Sequence, residues 1–216
     1  MTVIKGVLFD LDGTLLDSAP DLVASVNLLR TNIGLPPMPV EDLRHFVSRG
    51  AVGMIKAGLP PGDEETQEAR RLAFLDHYAA NSYVHSRPFD GVEDLLAVLA
   101  ERGIPWAIVT NKMESLTLPI LKQVGWLDKA DAIVCGDTFE HNKPHPMPVT
   151  EACRMIGVAP ENALMVGDDR RDVESGVSAG CATALALFGY AASDVDSELY
   201  KNCAMLETPA DVLQLI

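Results

Sequence analysis

Val7-Leu8-Phe9-Asp10-Leu11-Asp12-Gly13-Thr14 closes the first apolar run of the chain and decides how the rest is read. The run, Val3 to Phe9, is short and β-branched, which predicts a buried strand of an α/β sheet. It stops at two aspartates one residue apart. A buried strand delivers such a pair to the C-terminal edge of its sheet, where open α/β folds bind ligands. Gly13 frees the backbone to turn sharply there. Two neighbouring carboxylates repel unless a cation sits between them or one holds a proton. A calcium loop is the competing reading of Asp-x-Asp-Gly, but the further oxygen ligands and the closing Glu are missing at the required spacing.

The pattern recurs along the chain. Ile104 to Val109 is apolar and ends in Thr110-Asn111-Lys112. Ala132 to Val134 ends in Cys135-Gly136-Asp137, with Lys143-Pro144 a few residues on. Ala163 to Val166 ends in Gly167-Asp168-Asp169-Arg170-Arg171-Asp172. Each candidate strand finishes in polar groups suited to phosphate, Mg2+ or proton transfer. In a parallel sheet these ends lie side by side, so distant residues share one crevice.

These segments, in this order, resemble the signature motifs of the haloacid dehalogenase superfamily of phosphohydrolases, over nearly the whole chain. Val84-His85-Ser86-Arg87-Pro88-Phe89-Asp90-Gly91 and the stretch 167–176 are similar to the phosphoglycolate phosphatase group. Within that group the chain looks most like the related N-acetylmuramic acid 6-phosphate phosphatases. The resemblance implies an α/β fold: a Rossmann-like parallel sheet with helices on both faces, plus an inserted all-helical cap. It also implies a phosphatase acting on a small phosphate monoester with Mg2+ as cofactor.

Hydrophobic content of 48% with 22% charged residues is ordinary for a soluble globular chain, and 216 residues suffice for one large domain or two small ones. A formal net charge of −14 argues against nucleic acid and anionic membranes as partners. An anionic substrate must then be drawn in by local positive charge, from bound Mg2+, Lys143 and Arg49. The apolar run begins at Val3, so no signal peptide is expected, and no run approaches membrane-spanning length. Cys135, Cys153, Cys181 and Cys203 form no Cys-x-x-Cys pair and read as reduced thiols of a cytoplasmic protein. The expected partner is a small phosphorylated metabolite, bound by a monomer or homodimer.

After Thr14 the periodicity changes from strand to helix. Ser18 and Asp21 resemble a capping box ahead of Leu22, Val23, Val26, Leu29 and Ile33 at helical spacing. Short helices are expected over Glu41 to Val47 and Ala51 to Ala57, split by Ser48-Arg49-Gly50, and a longer one over Asp63 to Ser82. Nothing between 18 and 82 reads as a strand. Residues 15–84 are therefore expected to form a helical cap inserted into a core made of residues 1–14 and 85–216. In that core, helices are expected over Val92 to Glu101, Glu114 to Val124 (with a late start or a kink at Pro119), Pro146 to Ile156 and Asp172 to Ala179. The final strand is expected over Ala182 to Leu187, and a helix start at Pro209. His141 and His145 read as loop histidines, because Pro144 and Pro146 forbid the helix that would align them.

The resemblance assigns roles residue by residue. Asp10 matches the nucleophile, and Asp12 the acid/base that protonates the leaving oxygen and then deprotonates water. Family members that cleave carbon–halogen bonds lack this second aspartate, so its presence points to phosphoryl chemistry. Asp10, the backbone carbonyl of Asp12 and Asp168 match the metal shell. Asp172 and Asp169 compete for the supporting place, and Asp169 is equally a helix N-terminal residue stabilised by the helix dipole. Thr110 and the backbone N–H of Asn111 match donors to the transferring phosphoryl group. Lys143 matches the lysine that neutralises Asp10 and the phosphoryl oxygens, with Lys112 as the competing candidate. Arg49 is by itself an arginine of an inter-helix loop, but caps in this family place such a loop over the substrate. Arg49 is therefore expected to contact the non-reacting part of the substrate. A phosphomutase would keep every motif and differ in the cap, whereas a non-catalytic binding protein would be expected to lose Asp10 or Asp12.

Overall fold

The computed structural model describes residues 3–190 and 198–216, and the chain divides into two compact units. One unit comprises Met1–Leu16 and Pro88–Ile216, the other Asp17–Arg87. In chain order the elements begin with Gly6–Phe9 (β1), Ala19–Asn32 (α1), Val40–Leu43 (α2), Gly50–Gly58 (α3) and Glu64–Ala80 (α4). Val92–Glu101 (α5), Trp106–Val109 (β2), Glu114–Val124 (α6), Ala132–Val134 (β3) and Met147–Met155 (α7) follow. Ala163–Gly167 (β4), Arg170–Ala179 (α8), Ala182–Ala186 (β5) and Ala204–Leu206 (β6) are the last of the main-sheet strands and α-helices.

The six strands form one parallel sheet in the order β3-β2-β1-β4-β5-β6, a doubly wound α/β arrangement of the Rossmann type. Leu8 lies opposite Ala107 of β2 on one side and Met165 of β4 on the other. The strand order reverses beside β1, so the topological switch point falls between β1 and β4. Burial explains why β1 is an unbroken apolar run. Leu8, Ala107, Val109, Val134 and Met165 pack on Val149, Ala152 and Cys153 of α7. Val7 and Phe9 point to the opposite face, where the Phe9 and Trp106 rings meet edge to face at 6.3 Å. Each such buried side chain contributes roughly 1.5–3 kcal/mol.

Several expectations need correction in detail. The first strand starts at Gly6 rather than Val3, whose side chain is exposed. A sixth strand, β6, follows β5 and pairs with it from Ala184↔Ala204 to Ala186↔Leu206. It is three residues long and follows a polar stretch, so it carries too little periodicity to be read. Helix α6 runs through Pro119 without a late start. Pro209 opens a 3-10 turn rather than an α-helix.

In the helical unit, α1, α3 and α4 pack on one another. Leu22, Val23, Val26 and Leu29 of α1, Met54 and Ile55 of α3, and Phe74 and Tyr78 of α4 are buried. The expected helix over Glu41 to Val47 is α2 continued by a 3-10 turn, Arg44–Arg49. The Ser18/Asp21 capping box does not form, since Ser18 makes no side-chain cap hydrogen bond. The buried Asp21 carboxylate instead accepts the backbone N–H groups of Val84, His85 and Ser86 and the Ser86 hydroxyl at 2.6–3.1 Å. It ties the start of α1 to the segment by which the chain leaves this unit.

Candidate active site

Every motif of the α/β unit emerges at the C-terminal edge of the sheet. The N–H of Asp10 still belongs to the ladder, donating to Val166 O at 2.9 Å, so the first carboxylate is fixed by β1 itself. Thr110 is held likewise by a bond from its N–H to Val134 O at 2.9 Å. Asp168 follows β4 directly, and Asp172 lies in the first turn of α8. At the switch point one carboxylate oxygen each from Asp10, Asp168 and Asp172 lies within 4.8 Å of the others.

The cradle for this trio is built from small residues. Gly13 has φ +89°, a conformation open to glycine, and a Cβ there would strike the Asp168 carboxylate. A Cβ on Gly189 would strike Asp168 from another side, and one on Gly167 would strike Asp172. Within this space Asp168 accepts the Tyr190 N–H at 2.8 Å and is approached by the Thr14 hydroxyl at 3.5 Å.

Two lysines divide the carboxylates. Lys143, with its side chain 2% exposed, donates to Val109 O and to Asp172 Oδ1, each at 2.5 Å, and stands 3.0 Å from Asp10 Oδ1. That oxygen of Asp10 is buried and accepts no directional hydrogen bond, so its contact with Lys143 is an ion pair without hydrogen-bond geometry. Lys112 reaches Asp12 instead, with Nζ at 2.7 Å from both carboxylate oxygens. Asn111 turns its side-chain amide to the Lys143 backbone, donating to its carbonyl at 2.8 Å and accepting its N–H at 2.9 Å. It thereby clamps the loop that carries the lysine.

Asp169 stands outside the trio. It is the N-cap of α8, paired with Arg171 Nε at 2.7 Å and joined to Asp172 in a reciprocal capping box. Asp172 is the one of the two rival carboxylates that faces Asp10 and Asp168. Arg49 belongs to the helical unit, where it is exposed and its guanidinium lies 5.0 Å from the centre of the Phe46 ring.

The electrostatics of this edge are those of an anionic cluster. Burial, then Asp10 and Asp172, push the Asp168 carboxyl well above its ordinary range. Burial raises the Asp172 carboxyl to about 7, with Lys143 pulling down and Asp10 pushing up. Burial opposes the charge on Lys143, yet Asp10 and Asp172 together hold its ammonium above the usual value. Asp10, Asp12, Asp168 and Asp172 carry four carboxylates against the two ammonium groups of Lys112 and Lys143. The excess of two negative charges that full ionisation would bring, an all-oxygen donor set and a buried Asp10 oxygen without a hydrogen bond suit a hard divalent cation.

The sequence offers Lys112 only as a rival for Lys143 and marks no role for Tyr190, Gly189 or the Thr14 hydroxyl. The Lys112 signal was present, since it follows Thr110 by two residues. Tyr190 acts through a backbone N–H, which any residue but proline carries and no sequence announces.

The family model for haloacid dehalogenase-like hydrolases matches residues 7–186, and the chain belongs to that family. It is 37% identical to the N-acetylmuramic acid 6-phosphate phosphatase of Pseudomonas aeruginosa, over 99% of this chain and 95% of that one. It is 41% identical to a phosphoglycolate phosphatase of Xanthomonas campestris pv. campestris, over 95% of this chain and 93% of that one. The crystal structure of a predicted phosphoglycolate phosphatase from Haemophilus somnus 129PT is similar throughout. Its TM-score is 0.86 at 28% identity, covering 99% of this chain and 98% of that one.

Proposed function

We propose that this phosphoric monoester hydrolase acts on a small phosphorylated metabolite of the 2-phosphoglycolate or N-acetylmuramic acid 6-phosphate type, by way of a phosphorylated Asp10. The observation that carries the proposal is Lys143, buried between Asp10 and Asp172 where β1 and β4 end. A carboxylate held at a strand end with an ammonium on one oxygen is oriented for attack, and its charge is kept from repelling an incoming phosphate.

An Asp10 carboxylate oxygen forms a bond to phosphorus as the bond from phosphorus to the ester oxygen breaks. Asp12 gives its proton to that leaving oxygen, then takes one from the water that cleaves the acyl phosphate. Free phosphate and the Asp10 carboxylate are regenerated. Thr110 and the N–H of Asn111 hold the phosphoryl oxygens, and Lys143 balances their charge with that of Asp10. Asp10, Asp168, Asp172 and the backbone carbonyl of Asp12 would hold Mg2+, which supplies charge neutralisation for the transferring phosphoryl group. Asp169 we assign to capping α8, on the strength of its bond to Arg171. Arg49, from the helical unit, takes the carboxylate that both candidate substrates bear. The four cysteines are free thiols, consistent with the cytoplasmic location we assign, and no described helix is long and apolar enough to cross a membrane.

A screen of phosphate monoesters in Mg2+ and in chelator tests this assignment. It should single out a carboxylate-bearing ester and lose all turnover on chelation. Full turnover in chelator, or no hydrolysis of any ester, would reject it.

A further inference from the structure

We propose that Lys112 is a positioning residue for Asp12: its ammonium grips both carboxylate oxygens and fixes the carboxyl in the orientation that serves the leaving ester oxygen. The proposal rests on the acid/base role of Asp12 given above.

The two lysines at this edge are not interchangeable. Lys143 donates to Val109 O and Asp172 Oδ1 and forms an ion pair with Asp10 Oδ1. Its ion pairs are with Asp10 and Asp172, not with Asp12. Lys112 is placed to hold that second aspartate, at 2.7 Å from Oδ1 and 2.7 Å from Oδ2. A contact to both oxygens restrains the torsion about the carboxyl group, which is otherwise broad for aspartate. The side chains are 7% and 19% exposed, so little water competes for the pair.

The stem of Lys112 is anchored as well. Its N–H donates to Thr110 Oγ1 at 3.2 Å, and its carbonyl accepts the N–H of Gly136 at 2.8 Å. A Cβ on Gly136 would collide with the Asn111 carbonyl, so the loops after β2 and β3 meet backbone to backbone here. The ammonium therefore starts from a fixed base. Asp12, by contrast, lies beyond the end of β1, in the turn that Gly13 opens. An acid that must meet a departing oxygen needs an orientation its own backbone does not supply, and Lys112 provides it.

A proton donor matters most when the leaving oxygen is strongly basic, and little when it departs readily as an anion. Phenyl phosphate and p-nitrophenyl phosphate differ in this respect while sharing a ring. The test measures kcat/KM for both esters with the full-length wild type, Lys112→Met, Lys112→Arg and Asp12→Asn. kcat/KM reads only the steps up to departure of the ester oxygen, before hydrolysis of the phosphoenzyme that both esters share. Lys112→Met should lose about 10–100-fold on phenyl phosphate and less than about 3-fold on p-nitrophenyl phosphate. Lys112→Arg, whose planar fork can address both oxygens, should recover most of the phenyl phosphate rate. The ratio of the two esters within one preparation does not depend on how much of it is folded. Equal loss on both esters, or loss on neither, overturns the positioning role. Asp12→Asn checks the underlying assignment separately and should show the same selectivity in larger measure. If it does not, the acid/base role of Asp12 fails, and the role of Lys112 fails with it.

Discussion

Raising the pH of the metal-free protein from about 5 to about 8 should destabilise it, because the buried acids are protonated in the folded state at the lower pH. Asp172 ionises at about 7 when folded, its burial outweighing the pull of Lys143, and near the ordinary 3.8 when unfolded. Between those values the folded protein holds a proton that the unfolded chain has released. Stability therefore falls as pH rises through that window and levels off once both states are ionised. The whole difference is about 4 kcal/mol, of which about 3 kcal/mol falls above pH 5, at about 1.4 kcal/mol per pH unit. Asp168, displaced in the same direction by burial, adds to the fall. For a chain of this size the Asp172 contribution lowers Tm by roughly 6–12 °C. Scanning calorimetry at the two pH values measures it, and Asp168→Asn should shrink the fall. Mg2+ favours the ionised carboxylates, and at one hundred times its Kd it restores about 2.7 kcal/mol. Its Tm shift should accordingly be large at pH 8 and small at pH 5. A metal-free Tm that holds or rises from pH 5 to 8, or an Mg2+ shift equal at both, would refute the reasoning.

Other expectations follow from individual residues. Lys143→Met leaves Asp10 and Asp172 facing each other in a buried place, so it should cost about 3–5 kcal/mol of stability without metal and abolish turnover of every ester. Near-normal rates on any of them would contradict its assignment. Arg49→Ala should raise KM for a carboxylate-bearing substrate about tenfold or more and leave p-nitrophenyl phosphate nearly unchanged. Equal effects on both would return Arg49 to a solvated loop. Asp21→Ala strips three backbone N–H groups and a hydroxyl of their acceptor, so urea unfolding should show a loss of roughly 2–4 kcal/mol. A change below about 0.5 kcal/mol would show that those donors find water instead.

The fold was legible where strands are buried on both faces and end in chemistry. β1, β2, β3 and β4 could be read because an apolar run with no polar interruption has few other meanings, and they stop at Asp10, Thr110, Cys135-Gly136 and Gly167-Asp168. Strand β6 was not, since Ala204, Met205 and Leu206 form a strand by pairing with β5 rather than by their own pattern. Asp21 misleads for a similar reason. Its distance from Ser18 suggests a local cap, but its partners at 84–86 lie more than sixty residues away in sequence. In the candidate site, the strand-end places of Asp10, Thr110 and Asp168 could be read, since each follows an apolar run. How two lysines divide four carboxylates depends on side-chain reach from loop ends whose relative heights no spacing encodes. Lys112 and Lys143 look alike in the sequence, and three-dimensional placement gives Asp12 to one and the Asp10–Asp172 pair to the other.

The proposed mechanism has Asp10 carry the phosphoryl group during turnover. Acid quenching of the full-length enzyme in the steady state, followed by peptide mass mapping, tests it most directly. A phosphate is expected on the peptide containing Asp10, removed by hydroxylamine as an acyl phosphate should be, and absent from Asp10→Asn. A phosphorylated peptide that lacks Asp10, or normal turnover by Asp10→Asn, would contradict it.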